Sequence, residues 1–262
     1  MSKIVRPLRD LRRTFFERRH TALLIAIVTL FAMRPLLGDS IVTEIGFSIA
    51  MLVLLVIALY AIQVDDLLGE RRVLVIQRRR RRAMAWILGI LAFGERLASI
   101  LAPDPRTLII GAICYLVFFG FVSWSQFRTL LKHKEVTGET IAMSISVYLL
   151  MGLTWGMLYM LIIQWHPDAI SLGTSPPPTG THTNLFPVCL YFSLTTLSTI
   201  GFGDITPVAL QARYAAVAEG ITGQFYLAIL VARLVGMHMS QSPSQEADRQ
   251  PHGRETGTQS VP

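Results

Sequence analysis

Residues 195–204 read Thr-Thr-Leu-Ser-Thr-Ile-Gly-Phe-Gly-Asp. Hydroxyls, two alternate glycines and a carboxylate in so short a run are suited to holding a cation. A cation stripped of its water needs a ring of oxygens to replace the hydration shell, and backbone carbonyls from four identical loops can supply that ring. Gly201 and Gly203 fit this reading, because aiming successive carbonyls at one axis requires backbone angles that residues with a Cβ avoid. The Thr199 hydroxyl can add an oxygen at the inner end of the run. Asp204 has two readings: its charge concentrates cations at the outer mouth, or it makes a structural hydrogen bond behind the run.

The elements that would position this run are apolar. Hydrophobic residues make up 52% of the chain and charged ones only 16%, where a soluble domain carries about 25% charged. Six stretches are long enough to cross about 30 Å of hydrocarbon as helices: residues 21–37, 41–62, 83–101, 107–131, 141–165 and 212–239. A seventh, residues 185–198, is too short to cross and is expected to be a re-entrant helix ending at the cation-binding run. The predicted fold class is therefore an all-α membrane protein with six transmembrane helices and a re-entrant pore helix between helices 5 and 6. Its expected parts are a basic cytoplasmic N-terminus (1–20), a four-helix module (21–135), a pore domain (136–239) and a disordered cytoplasmic tail (240–262). A signal peptide is not expected, because no small-residue cleavage site follows the basic start.

The net charge of +7 could suggest nucleic acid, but its placement argues against that partner. The N-terminal region, the segment around Arg71, Arg72 and Arg78 to Arg82, and the group Arg128, Lys132 and Lys134 hold 17 of the 24 Lys and Arg. Alternate loops are nearly free of them. The positive-inside rule then puts both termini in the cytoplasm. The run Arg78, Arg79, Arg80, Arg81 and Arg82 could also bind anionic lipid headgroups at roughly 1 kcal/mol each, although fixing topology is the simpler role. Cys114 and Cys189 lie in apolar surroundings without metal or disulfide spacing and read as small core residues. The Ser-Pro-Pro-Pro-Thr-Gly stretch at residues 175–180 precludes helix and is expected to form a loop over the pore mouth.

An apolar segment of pore-helix length ending in Thr-Ile-Gly-Phe-Gly-Asp, set between two spanning helices, resembles the pore module of the potassium channel superfamily. The resemblance covers residues 141–239. It implies K+ as the permeant ion, with oxygens from Thr199, Ile200, Gly201 and Phe202 and a mouth shaped by Gly203 and Asp204. One filter per chain implies a homotetramer. No catalytic role, enzymatic activity or cofactor is expected; K+ would pass passively across a plasma membrane. Thr195, Thr196 and Ser198 place hydroxyls along the pore helix. They either frame the filter or bond back to helix carbonyls. The resemblance puts Gly220 at an inner-helix hinge, with Gly223 close by; close packing by small residues is the other reading. Ile221, Gln224 and Ala228, with Val231 or Ala232, share the helical face expected to line the cavity. Glu219 is expected to be protonated or hydrogen-bonded to pore-helix hydroxyls, with pH sensing as the sharper alternative.

Departures from the family pattern are local. Phe202 replaces a frequent tyrosine and lacks its hydroxyl. Tyr191 and Phe192 stand where many members have a tryptophan pair, and Thr195 where some have a carboxylate. Residues 107–131 contain one basic residue, Arg128, so no voltage-sensing charge series is present. Arg34, Glu44, Glu95 and Arg96 fall at compatible depths in helices 1–3 and either pair structurally or form a field- or proton-sensing cluster. A weakly selective cation channel of the same fold, or a potassium transporter subunit, are the alternative functions; transporters of that kind show internal repeats, and none is apparent.

Overall fold

A computed structural model of the protein describes residues 18–38, 41–68, 75–101, 105–133, 136–173 and 185–241. Seven helices dominate these residues: α1 (Arg19–Leu37), α2 (Ile41–Leu68), α3 (Val75–Leu101), α4 (Pro105–Leu130), α5 (Gly138–Trp165), α6 (Leu185–Leu197) and α7 (Leu210–Gln241). Four of them contain segments long and apolar enough to cross a membrane: Ile45–Gln63, Ile109–Leu130, Gly138–Trp165 and Leu210–Arg233. Arg19–Met33 and Leu185–Leu197 are apolar but shorter.

The helices pack through stripes at helical spacing. Leu23, Ile27 and Leu30 on α1, Leu54 and Ala58 on α2, and Phe118 and Val122 on α4 are fully or almost fully buried. Val147, Leu150 and Leu153 do the same on α5. The outward faces are apolar too, with Ile25, Val56, Ile87 and Ile90 all exposed. A helix apolar on both sides fits hydrocarbon rather than water around the bundle.

Polar groups fix the register between helices. Thr137 caps α5, its hydroxyl accepting from the Thr140 N–H at 3.3 Å, which satisfies one of the free amides of the first turn. Glu139, in the first turn, accepts from the His20 N–H at 3.0 Å and from the Thr21 hydroxyl, tying the start of α5 to the start of α1. Arg81 donates from Nε to Ser125 Oγ and from Nη2 to the Ser125 carbonyl, both at 2.9 Å, pinning α3 to α4.

The arginine run differs from the expected connecting segment. α3 begins at Val75, eight residues before the expected start, so Arg78 to Arg82 are helical. Arginine is a good helix former, and apolar content alone cannot mark where a helix begins in water. Arg79 and Arg80 are exposed, whereas Arg81 and Arg82 are half-buried. Several expectations lie outside the described residues: the N-terminal basic cluster, Arg71 and Arg72, the proline-rich stretch and the tail beyond residue 241. The side chains of Arg34, Glu44, Glu95 and Arg96 lie outside them as well.

Beyond α5 the chain makes a 3-10 turn at Pro167–Ala169 and a short strand, β1 (Ile170–Ser171). β1 pairs antiparallel with β2 (Thr206–Pro207), Ile170 opposite Pro207 and Ser171 opposite Thr206. The Val208 and Ala209 N–H groups both donate to the Ala169 carbonyl, at 2.8 and 3.1 Å. These contacts clamp the loop after Asp204 to the end of α5.

Candidate functional site

The Thr199–Asp204 loop begins where α6 stops. Pro187 sits in the first turn of α6, where its missing N–H costs no helix bond. At the other end Thr199, Gly201 and Gly203 take positive φ values of 60°, 49° and 79°, while Ile200 and Phe202 do not. Alternation between left-handed and ordinary residues turns successive N–H groups to one side of the chain and the carbonyls to the other.

Hydrogen bonds fix which side is which. The Thr199 N–H donates to the Thr196 carbonyl at 3.0 Å, and the Ile200 and Gly201 N–H groups both donate to the Thr195 carbonyl, at 2.9 and 3.1 Å. No peptide bond here is cis, so each carbonyl lies antiparallel to the N–H of the next residue. The carbonyls of Ser198, Thr199 and Ile200 therefore point away from α6. Thr199 holds a left-handed conformation without being glycine, and β-branched residues are rarely found there; such strain costs about 1–3 kcal/mol. The anchored amides on either side offset it. The loop is exposed, with Ile200 at 58% and Phe202 at 69%, so nothing among the described residues covers the side to which the carbonyls point.

Of the two readings of the pore-helix hydroxyls, Thr195 and Ser198 follow the second, bonding back to helix carbonyls. Thr195 donates back to the Phe192 carbonyl at 3.0 Å, and Ser198 to the Leu194 carbonyl at 2.7 Å. Carbonyls three or four residues back lie within reach of a short hydroxyl, whereas the Thr199, Ile200 and Gly201 amides are already taken by backbone oxygens. Thr195 and Thr196 contribute through their carbonyls instead. Two tyrosine hydroxyls reach this region, one from α6 itself and one from α5. Tyr191 donates to Asp204 Oδ2 at 2.9 Å and its ring stacks on Phe202 at 6.5 Å with an interplanar angle of 5°. Asp204 holds the Tyr191 phenol above its ordinary pKa through this hydrogen bond. Tyr148 donates to the Leu197 carbonyl at 3.1 Å, occupying a free oxygen at the end of α6. The signal for these partners was present but unspecific: a tyrosine on an apolar helix needs a place for its hydroxyl.

α7 packs its Gly223 against the end of α6. A Cβ there would stand 2.4 Å from the Leu197 carbonyl oxygen, whereas one at Gly220 would be 3.9 Å from its nearest neighbour, the Thr196 carbonyl oxygen. Gly223 is thus the residue that close approach requires. Ile221, Gln224 and Ala228 are exposed in the single chain on one helical face, and Gln224 Nε2 reaches Thr199 Oγ1 at 3.5 Å. That contact brings the loop's inner end to the α7 face.

Behind the loop lies a buried polar group. Glu219 on α7, Ser193 on α6 and Tyr159 on α5 are each 0% exposed. Tyr159 donates to Glu219 Oε2 at 2.6 Å; Ser193 Oγ lies 2.5 Å from Glu219 Oε1 and 2.8 Å from the Gly152 carbonyl. Glu219 is thus hydrogen-bonded to an α6 hydroxyl. Among the described residues no group of His, Cys, Asp and Glu could hold a metal ion.

Residues 144–239 match the family model described as ion channel. That segment contains α6, the 199–204 loop and the spanning part of α7, together with most of α5. The chain is also similar to Protein LctB of Bacillus caldotenax, 27% identical over 126 residues, which covers 48% of this chain and 92% of that protein. It is 37% identical over 70 residues to Two-pore potassium channel 4 of Arabidopsis thaliana, 27% of this chain and 25% of the plant protein. Protein LctB of Geobacillus stearothermophilus is 33% identical over 85 residues, 32% of this chain and 62% of that one. Over this segment the chain is similar to members of the potassium channel superfamily. It is a channel protein of the membrane rather than an enzyme. The shared segment is the one carrying the carbonyl-presenting loop, and α1 to α4 lie outside the ion channel match.

Proposed function

We propose that four copies of this chain form a K+-selective pore, with Thr199, Ile200, Gly201 and Phe202 supplying the coordinating oxygens. The observation that carries this reading is the alternating backbone of residues 199–203, in which the Thr199, Ile200 and Gly201 amides bond back to α6 and the Ser198, Thr199 and Ile200 carbonyls are left on the opposite, exposed side. A ring of such carbonyls replaces the hydration shell of a dehydrated cation, and one loop per chain supplies only a quarter of the ring. Support for assembly comes from α7. Leu210, Tyr214, Val217, Ile221, Gln224, Ala228, Val231 and Val235 recur every three or four residues and are all exposed. Helices with such a stripe pack around a common axis. The ion passes down its gradient with no covalent step.

In this reading α6 is a re-entrant pore helix, and α1 and α3 complete six crossings with α2, α4, α5 and α7. Both termini face the cytoplasm, the basic residues setting the orientation in the plasma membrane. Among the described side chains of the arginine run, Arg79 and Arg80 are exposed and face outward to meet anionic headgroups, whereas Arg81 is held by Ser125. A weakly selective cation channel is the second reading. Phe202 favours it, because its ring brings no hydroxyl with which to brace the outer loop.

Reversal potentials of the purified channel in a planar bilayer, with K+ on one side and Na+ on the other, separate the two. The selective reading expects reversal to follow the K+ gradient and Ba2+ to block. Equal permeability to the two ions rejects it.

A further inference from the structure

We propose that Glu219 is a neutral carboxylic acid acting as a positioning residue for the filter, passing one hydrogen-bond chain from α7 through Ser193 of α6 to the Gly152 carbonyl of α5. The proposal rests on the reading of residues 199–203 as a selectivity filter.

The argument is a count of protons. Ser193 has one hydroxyl hydrogen, yet its oxygen lies within hydrogen-bond distance of two oxygens, Glu219 Oε1 at 2.5 Å and the Gly152 carbonyl at 2.8 Å. The Gly152 carbonyl can only accept. If Glu219 is ionised, its Oε1 can only accept as well, and one of the two contacts is then a pair of facing lone pairs. If Oε1 carries a hydrogen, it donates to Ser193, and Ser193 donates to Gly152. Tyr159 meanwhile donates to Oε2 at 2.6 Å. Every hydrogen in the group then has an acceptor and every contact has one hydrogen.

The surroundings agree. Glu219, Ser193 and Tyr159 are wholly buried, and an ionised carboxylate in such a place needs a cation beside it. Among the described residues, the titratable groups facing the cluster are Tyr159 and Tyr148 on α5 and Cys189 on α6, and none of these is cationic. The Phe192 ring, next to Ser193 in sequence, meets Tyr159 edge-on at 4.8 Å and closes the site. Ser193 lies two residues before Thr195, whose carbonyl accepts the Ile200 and Gly201 amides. A strut that holds Ser193 between two spanning helices therefore holds the carbonyl on which the filter backbone hangs.

The test uses the purified full-length complex. Glutamine has the same shape, is always neutral, and can accept from Tyr159 while donating to Ser193. Infrared spectra of wild type should contain the carbonyl band of a protonated carboxylic acid that Glu219→Gln lacks. Glu219→Gln should keep the K+ over Na+ permeability ratio within about twofold of wild type, while Glu219→Ala and Ser193→Ala lower it by about tenfold, the equivalent of one hydrogen bond. A missing infrared band, or a Glu219→Gln channel as impaired as Glu219→Ala, overturns the proposal. Where the alanine variants do not assemble, the band and the glutamine variant still decide it. Failure of the filter reading is a separate result: a wild-type channel that passes Na+ and K+ equally, with the band unchanged.

Discussion

The glycines of α7 show how a residue's neighbours decide its role. Gly220 and Gly223 cannot be ranked from sequence, since glycine suits both a hinge and a close contact. The coordinates separate them. A methyl at 223 meets the Leu197 carbonyl at 2.4 Å, and one at 220 has ordinary space. Gly223→Ala should destabilise the complex by about 1–3 kcal/mol, the usual cost of overpacking. Gly220→Ala should be neutral or stabilising by about 1 kcal/mol from helix propensity. Thermal unfolding of the two variants in one detergent checks the ranking, and equal effects would contradict it. The Tyr191–Asp204 pair gives a second residue-scale prediction. Tyr191→Phe keeps the ring on Phe202 and removes only the bond, so currents should decline faster during sustained opening. The sign with pH follows from the raised phenol: the contact persists below the ordinary tyrosine range and is lost only as pH climbs through the raised value. Unaltered decay in Tyr191→Phe would show that Asp204 needs no such partner. The left-handed turns of the 199–203 loop were legible because their requirement is local, a backbone pattern written in Gly201 and Gly203. Tyr148, Tyr159 and Ser193 were not, because their partners come from other helices and no spacing encodes them.

At the scale of elements, the helices and their approximate limits could be read from apolar length alone. The early start of α3 could not, because the arginine run continues a helix without continuing its apolar pattern. α4 is the element whose chemistry matters most for gating. Its last turn holds one arginine, Arg128, whose guanidinium lies 5.1 Å over the Trp124 ring. A sensor draws about 2.3 kcal/mol per charge from 100 mV, and α4 has no series of charges to collect it. Gating currents recorded with the pore blocked should be small and open probability should vary shallowly with voltage; several elementary charges per channel would refute this. α4 has instead a mechanical link to α7. Arg233 donates to the Leu130 and His133 carbonyls at the end of α4, where the helix dipole favours a cation. Tyr226 adds a bond to the Ser144 carbonyl at 2.6 Å and a ring contact with Phe127. Arg233→Ala should remove about 1.5–3 kcal/mol of charged hydrogen bonding and shift open probability without changing ion selectivity. A changed permeability ratio with unchanged opening would reverse that assignment.

For the molecule as a whole, α7 is the candidate span least covered by its own chain. Only 17% of the Leu210–Arg233 window of α7 is buried, against 56% of Gly138–Trp165 in α5, and the stripe from Leu210 to Val235 is exposed among the described residues. Sequence could announce the missing partners, through one filter motif per chain, but not which faces they cover. Mass measurement of the detergent-solubilised complex should give four chains, and a conducting monomer or dimer would contradict the assembly. The central claim is that the carbonyls of residues 199–202 from four chains meet on one axis and hold dehydrated K+. Anomalous diffraction from crystals grown in Rb+ or Tl+, which substitute for K+, tests this most directly. The account predicts a column of peaks on a four-fold axis beside Thr199 to Gly203, lost when Na+ replaces the heavier ion. Loops that face away from any shared axis, or an axis without ions, would contradict it.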